Sequence, residues 1–142
     1  TYGMVLKTLF IVMASVAALF AISKRVNALL LGDEVAKAIG VNVRAVRLTA
    51  FTLSSLITAA LVAMAGPVGF VGLVAPWLSK RAFGVRYSTN LATALLIGAE
   101  LTIVSDVIAR LVLYPSEAPL TAVTSVFGGP LLVYILLKSR GE

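Results

Sequence analysis

YGMVLKTLFIVMASVAALFAI, residues 2–22, carries a single charge, Lys7, close to its start. A helix needs roughly 20 mostly apolar residues to cross a bilayer, and this run meets that length. Four further stretches extend the pattern: residues 48–65, 67–78, 91–113 and 120–137. The third is short and interrupted by Gly69, Gly72 and Pro76. The fourth holds Glu100, Asp106 and Arg110, and the fifth has Gly128, Gly129 and Pro130 in its middle. Backbone groups in hydrocarbon must bond within their own segment, so these stretches read as helices rather than strands. The expected fold class is all-α, a polytopic transmembrane helical bundle with about five spanning helices.

Composition points the same way. Of 142 residues, 60% are apolar and 13% are charged, and the mean hydropathy is +1.04. Soluble domains carry about 25% charged and 45–50% apolar residues, so the surplus apolar surface must face lipid or other helices. There is no cysteine and no histidine. This removes disulfides, thiol chemistry and the commonest metal ligand and general base. No metal site, catalytic residue or cofactor is expected in this chain. The net charge of +6 would suggest nucleic acid in a soluble protein. Here the cations punctuate apolar runs, so a membrane surface accounts for them better, and no nucleic-acid partner is expected. The first 23 residues lack the basic start, short apolar core and cleavage site of a secretory signal. The chain opens at Thr1 without an initiator Met, and so reads as a fragment or a processed product.

Lys24, Arg25, Lys37, Arg44 and Arg47 lie in residues 23–47, Lys80, Arg81 and Arg86 in residues 79–90, and Lys138 and Arg140 in the tail. The turn at Gly66–Pro67 is uncharged, and that over residues 114–119 has only Glu117. These ten of the twelve basic residues therefore fall on one side, the expected cytoplasmic side. The C-terminus is placed inside and the start of the chain outside. An odd number of crossings satisfies this alternation. Trp77 and Tyr87 read as interfacial anchors near the inner boundary.

The cytoplasmic connection, residues 23–47, reads SKRVNALLLGDEVAKAIGVNVRAVR. Asp33 is placed to cap a short helix, with Asp33 and Glu34 favouring the positive end of its dipole. Gly40 is a natural left-handed stop. Val35, Ala36 and Ile39 recur at helical spacing and predict one apolar face. That face could rest on the bilayer surface, or it could fit a groove on a cytosolic partner.

Three blocks, GDEVAKAIGVNVRAVR, GPVGFVGLVAPWLSKR and SDVIARLVLYPSEAPLTAVTSVFGGP, resemble the FecCD-type permeases in order and spacing from Gly32 to Arg140. These are membrane subunits of ATP-binding-cassette importers for iron-siderophores, haem and cobalamin. The chain is similar to the C-terminal half of a ten-helix permease. The resemblance implies a second permease subunit in a homodimer or pseudo-dimer, two cytosolic ATPase subunits and an extracytoplasmic substrate-binding protein. It implies location in the cell membrane. It makes the segment Gly32, Asp33, Glu34, Val35, Ala36, Ile39 and Gly40 the coupling helix seated in the ATPase. Arg110 falls where the family pairs a cation with acidic residues of the binding protein, and Glu117 with Pro119 matches an acidic-x-proline turn before the last helix. Two departures stand out: the N-terminal half is absent, and Pro76–Trp77 replaces the usual Pro-His.

Charges within a span cost roughly 2.5–3.5 kcal/mol each at mid-helix, so they usually face a cavity or a partner. Asp106 and Arg110 are four apart and can pair on one helix face, a structural role that competes with docking for Arg110. Glu100 could line a path or a helix contact. Gly66, Gly69 and Gly72 read as a small-residue face for close helix packing or as a gating element. Gly128, Gly129 and Pro130 raise the same choice. No Gly-x4-Gly-Lys-Ser/Thr run is present to cradle phosphates, so ATP hydrolysis is expected in a partner. Rival classes are half of a secondary transporter or a channel, since broken helices occur there too, and a purely structural membrane subunit.

Overall fold

The computed structural model describes residues 2–112 and 120–140. Among these the structure is all-α, with α1 Tyr2–Ala21, α2 Ser23–Leu29, α3 Asp33–Ala38, α4 Val43–Ala65, α5 Val71–Phe83, α6 Tyr87–Val112 and α7 Leu120–Ser139. Four of these, α1, α4, α6 and α7, are long and apolar enough to cross a membrane. At 1.5 Å per residue the shortest of them reaches roughly 30 Å, the hydrocarbon thickness. None of the residues in the most apolar window of α4 is buried within the chain, and few are in the other three. Their apolar sides are therefore left for lipid or for other helices.

The sequence boundaries hold best where composition changes sharply. The expected segment 2–22 is α1, and 120–137 is α7. Segment 48–65 begins five residues early, at Val43, because Asn42 caps α4: its Oδ1 accepts a 3.0 Å hydrogen bond from the Ala45 N–H. Segment 91–113 begins at Tyr87, and Leu113 lies outside the described residues. The connection expected over 79–90 shrinks to three residues, 84–86, since α5 runs on to Phe83 and stops at Gly84 with φ 89°.

The third segment needs correction. Its helix starts at Val71, not at Pro67, and has 13 residues. That is roughly 20 Å, short of a crossing by itself. Residues 67–70 are non-helical and add up to about 13 Å. The expected alternation thus depends on helix and non-helical segment together. The glycine face is also corrected. Gly66 ends α4 with φ 77°, Gly69 lies in the non-helical segment, and Gly72 is in the first turn of α5. Positive φ at Gly66 breaks the helical register, so spacing of three no longer means a common face. Nor is the last segment broken. Pro130 sits within α7, which runs unbroken from Leu120 to Ser139.

The chain divides into two compact units. In the first, α1 packs against α4, and α2 and α3 both pack on α4. Ser15 and Leu19 of α1 and Val43 and Val46 of α4 are buried there. Asn27 of α2 accepts a 2.6 Å hydrogen bond from the Tyr87 N–H through its Oδ1. It satisfies one of the four amides that every helix start leaves without an intrahelical partner.

In the second unit the non-helical segment is bound to α7. Thr121 Oγ1 donates to the Pro67 carbonyl, and Gly69 lies 3.6 Å from Ser125 Oγ, measured from where a Cβ would stand. Phe70 has φ 64°, an unusual conformation for a bulky residue. Its ring is seated on Gly128: a Cβ added there would overlap Phe70 Cβ and Cγ. Residues 121, 125 and 128 recur at spacings of four and three and so share one face of α7. On α5, the fully buried Ser79 donates to the Asn90 carbonyl at 3.2 Å and hydrogen-bonds Thr93 Oγ1. Gly98 lets α6 approach Ala75 and Val71 of α5, each 3.7 Å from its Cβ position. Arg81 lies over Trp77 and Lys138 over Tyr134, at 5.5 and 5.8 Å from the ring centroids. Both cations sit in the last turn of their helices, where they also complement the dipole.

Gly128 and Gly129 are neighbours with opposite surroundings, since nothing lies within 4 Å of a Cβ at Gly129. Gly128→Ala is expected to destabilise by about 1–3 kcal/mol through overpacking. Gly129→Ala should be neutral or stabilising by up to about 1 kcal/mol, as the helix propensities differ by that much. Thermal unfolding of the detergent-solubilised permease compares the two. Equal Tm values for both variants would contradict the seat assigned to Phe70.

Candidate functional site

The connection between α1 and α4 folds as two short helices, where one was expected. The end of α2 is tightened by hydrogen bonds from Leu31 N–H to Ala28 O and from Gly32 N–H to Leu29 O, both 3.2 Å. Gly32 then turns the chain with φ 104°. At the far end of α3, Gly40 takes φ 84°, its N–H bonds Lys37 O at 2.9 Å, and the Val41 N–H bonds Ala36 O at 2.9 Å. This pair of bonds is the Schellman motif. Gly40 is therefore the stop that its position in the sequence predicted.

Asp33 does not cap α3. Gly32 holds the cap position, and Asp33 is the first helical residue. Its carboxylate accepts two hydrogen bonds from Arg47 Nη2 of α4, at 3.0 and 3.3 Å. Both side chains are well exposed, so the pair is worth at most about 1 kcal/mol; its main effect is to orient α3 on α4. Glu34 and Lys37 form a second exposed pair at 3.3 Å.

The predicted apolar face is divided between two tasks. Ala36 is completely buried and forms a small core with Ala28 and Val43, flanked by Leu29 and Val41. Val35 and Ile39, four apart, are 46% and 61% exposed, and Leu31 in the preceding turn is 68% exposed. The methyl of Ala36 thus anchors the knob formed by α2 and α3, while the larger residues form an uncovered apolar row. This row adjoins Glu34, itself exposed. A face with ionic groups at its margin suits a protein groove better than hydrocarbon.

Arg110 and Glu100 belong to the second unit. Arg110 Nε donates to Asp106 Oδ2 at 2.9 Å, the intrahelical pair expected on α6. Glu117 and Pro119 lie outside the described residues. Glu100 is exposed on α6. Beside the Phe70–Gly128 seat, α5, α6 and α7 line an apolar cavity of about 260 Å³, with Ser105 and Thr124 as its polar atoms. No cluster that could hold a metal ion occurs among the described residues. Three contributors went unread in the sequence: Asn27, Arg47 as the partner of Asp33, and Phe70. Asn27 left a signal, as a lone amide within an apolar run; the other two depend on partners far along the chain.

This arrangement defines a multi-pass α-helical membrane protein with a compact knob between α1 and α4. The sequence pattern of the FecCD transport family matches residues 1–138. The chain belongs to that family. It is 38% identical to the Fe(3+)-citrate import system permease protein YfmD of Bacillus subtilis, over 83% of this chain and 35% of that protein. It is 39% identical to the hemin transport system permease protein HmuU of Yersinia pestis, over 84% and 36% respectively. A solved inward-facing structure of a transporter assigned to the metal-chelate type of ABC transporter superposes with a TM-score of 0.89 and 30% identity. It covers 97% of this chain and 46% of the solved one. The chain thus spans about a third of the length of the curated relatives it matches.

Ala36→Asp should unseat the knob, because even a protonated, unpaired carboxyl would be buried at a cost of roughly 2–7 kcal/mol. Ile39→Asp, at an exposed position, should leave it folded. Limited proteolysis of the solubilised permease between residues 30 and 42 reads the difference: rapid cleavage is expected in the first variant and wild-type resistance in the second.

Proposed function

We propose that this chain is a membrane-spanning part of the permease of an ATP-binding-cassette importer for a metal chelate, such as an iron-siderophore, haem or cobalamin. The chain supplies path and linkage, and cytosolic ATPase subunits supply the energy. The observation that carries this reading is the exposed row Leu31, Val35 and Ile39 on a knob fixed to α4 through Ala36. Apolar anchors four apart are the usual means by which a helix seats in a groove. The names of the relatives, import and transport system permeases, support the class of cargo.

The linkage is mechanical. A push on the row is carried by the close contact of Ala36 with Ala28 and Val43 and by the Asp33–Arg47 pair to α4. Packed contacts of this kind are stiff, so α4 and the α1 helix packed against it would shift as a body. Gly69 and Gly128 would serve packing of the segment 67–70 against α7, with Gly128 holding Phe70; Gly66, Gly72 and Gly129 face open space, and Pro130 is exposed on α7. Arg110 and Glu117 would meet an extracytoplasmic binding protein, and a second permease subunit would complete the path.

Two measurements test this reading. Val35→Asp with Ile39→Asp should reduce co-purification of the ATPase and ATP-dependent uptake at least about ten-fold, with membrane abundance unchanged. Uptake that survives in the double variant, or that follows an ion gradient without ATP, contradicts the assignment. Sidedness is read separately: this stretch has no cysteine, so Glu34→Cys in a cysteine-free permease provides a single label site. Impermeant maleimide should modify it in inverted vesicles and not in intact cells; labelling from outside would invert the topology.

A further inference from the structure

The start of α4 carries a second surface, on the other side of α3 from the apolar row. Lys37 is two positions from Val35, about 200° around the helix, and so faces away from that row. Lys37, Arg44 and Arg47 line a groove of about 360 Å³ whose remaining walls are Val43, Leu48 and Phe51. An adjoining hollow of about 440 Å³ adds Gly40, Val41 and Asn42. Arg44, Arg47, Leu48 and Phe51 follow spacings of three, one and three, which puts them on one face of α4. Along that face the chemistry changes from cationic to apolar within two turns, where the long apolar part of α4 begins.

The charges are only partly balanced. Arg47 is held by Asp33 and Lys37 by Glu34. Arg44 has no acidic partner within 4.0 Å among the described residues. Within the segment 23–47, Asp33 and Glu34 are the acidic residues, against the five cations Lys24, Arg25, Lys37, Arg44 and Arg47. Phe51 and Leu48 are 72% and 56% exposed, so the apolar wall is uncovered. A ligand matching this groove has an anionic head and a hydrocarbon tail in line. Basic pockets beside the ends of spanning helices take acidic lipid head groups in this way.

We propose that this groove is a binding site for one anionic phospholipid. Its phosphate lies between Arg44 and Lys37, with Arg47 alongside, and an acyl chain runs along Leu48 and Phe51. The site would hold the base of the knob at the membrane surface, so that the row on its other face stays presented to a partner. The inference needs α4 to span the bilayer and does not depend on an ATPase.

The test uses the permease in its complete membrane assembly, solubilised and delipidated. Phosphatidylglycerol and phosphatidylcholine are added back at graded concentrations, and bound lipid is counted by native mass spectrometry. Wild type should retain phosphatidylglycerol over phosphatidylcholine. Arg44→Gln, which removes the unpaired cation, should weaken phosphatidylglycerol binding about five-fold and leave phosphatidylcholine unchanged. Phe51→Ala should weaken phosphatidylglycerol binding and leave competition by inorganic phosphate as it was. Equal retention of the two lipids by wild type, or unaltered phosphatidylglycerol binding in Arg44→Gln, overturns the proposal. Displacement by inorganic phosphate as readily as by the lipid overturns it too, since the groove would then be an anion site without a lipid. Because the measurement counts bound lipid and reads neither ATPase binding nor uptake, such a failure would leave the coupling assignment standing.

Discussion

Hydrocarbon offers no water to a peptide group, and each unpaired amide or carbonyl there costs several kcal/mol. Much of this chain follows from that constraint. The four long helices satisfy their backbones internally and leave their apolar sides uncovered. The non-helical residues 67–70 cannot do this alone, and they are held by α7, with Thr121 bonding the Pro67 carbonyl and Gly128 receiving Phe70. Phe70 keeps a left-handed backbone at a cost of about 1–3 kcal/mol because its ring has a notch to occupy. The Val71 N–H, at the start of α5, returns to the Gly69 carbonyl at 2.8 Å.

The knob obeys a different economy. It is small, carries ionic pairs on its surface and buries little besides Ala28, Ala36 and Val43. Such a core is too slight to fix a free loop. What fixes it is covalent closure at both ends, on α1 and α4, together with the Schellman stop at Gly40 and the cap at Asn42. The consequence is a division of labour around α3. The buried methyl faces the protein, Asp33 and Lys37 face the start of α4, and the larger apolar side chains are left outward. A helix of six residues can thus be firmly seated and still present a recognition surface.

Much of the fold was legible in the sequence because apolar length and glycine punctuation are local properties. The spans at residues 2–22 and 120–137, the turn at Gly66 and the stop at Gly40 all rest on composition within one or two turns. The errors arose where a residue's role depends on a distant partner. Asp33 has the composition of a cap, yet it bonds Arg47, fourteen positions on. The glycines at 66, 69 and 72 have the spacing of a helix face, yet a positive φ at the first breaks the register.

The sequence by itself determined that this chain is helical, that it enters a membrane repeatedly, and where most of its helices start and stop. These outcomes follow from side-chain transfer energies and short-range backbone preferences, which need no knowledge of neighbours. Only the tertiary structure decided which side of each helix does what. Ala36 turns inward while Val35 and Ile39 stay exposed, and Gly128 takes a ring while Gly129 takes nothing. Adjacent residues of similar type differ here because contact between segments far apart in the chain is set by packing, which periodicity along one helix does not encode.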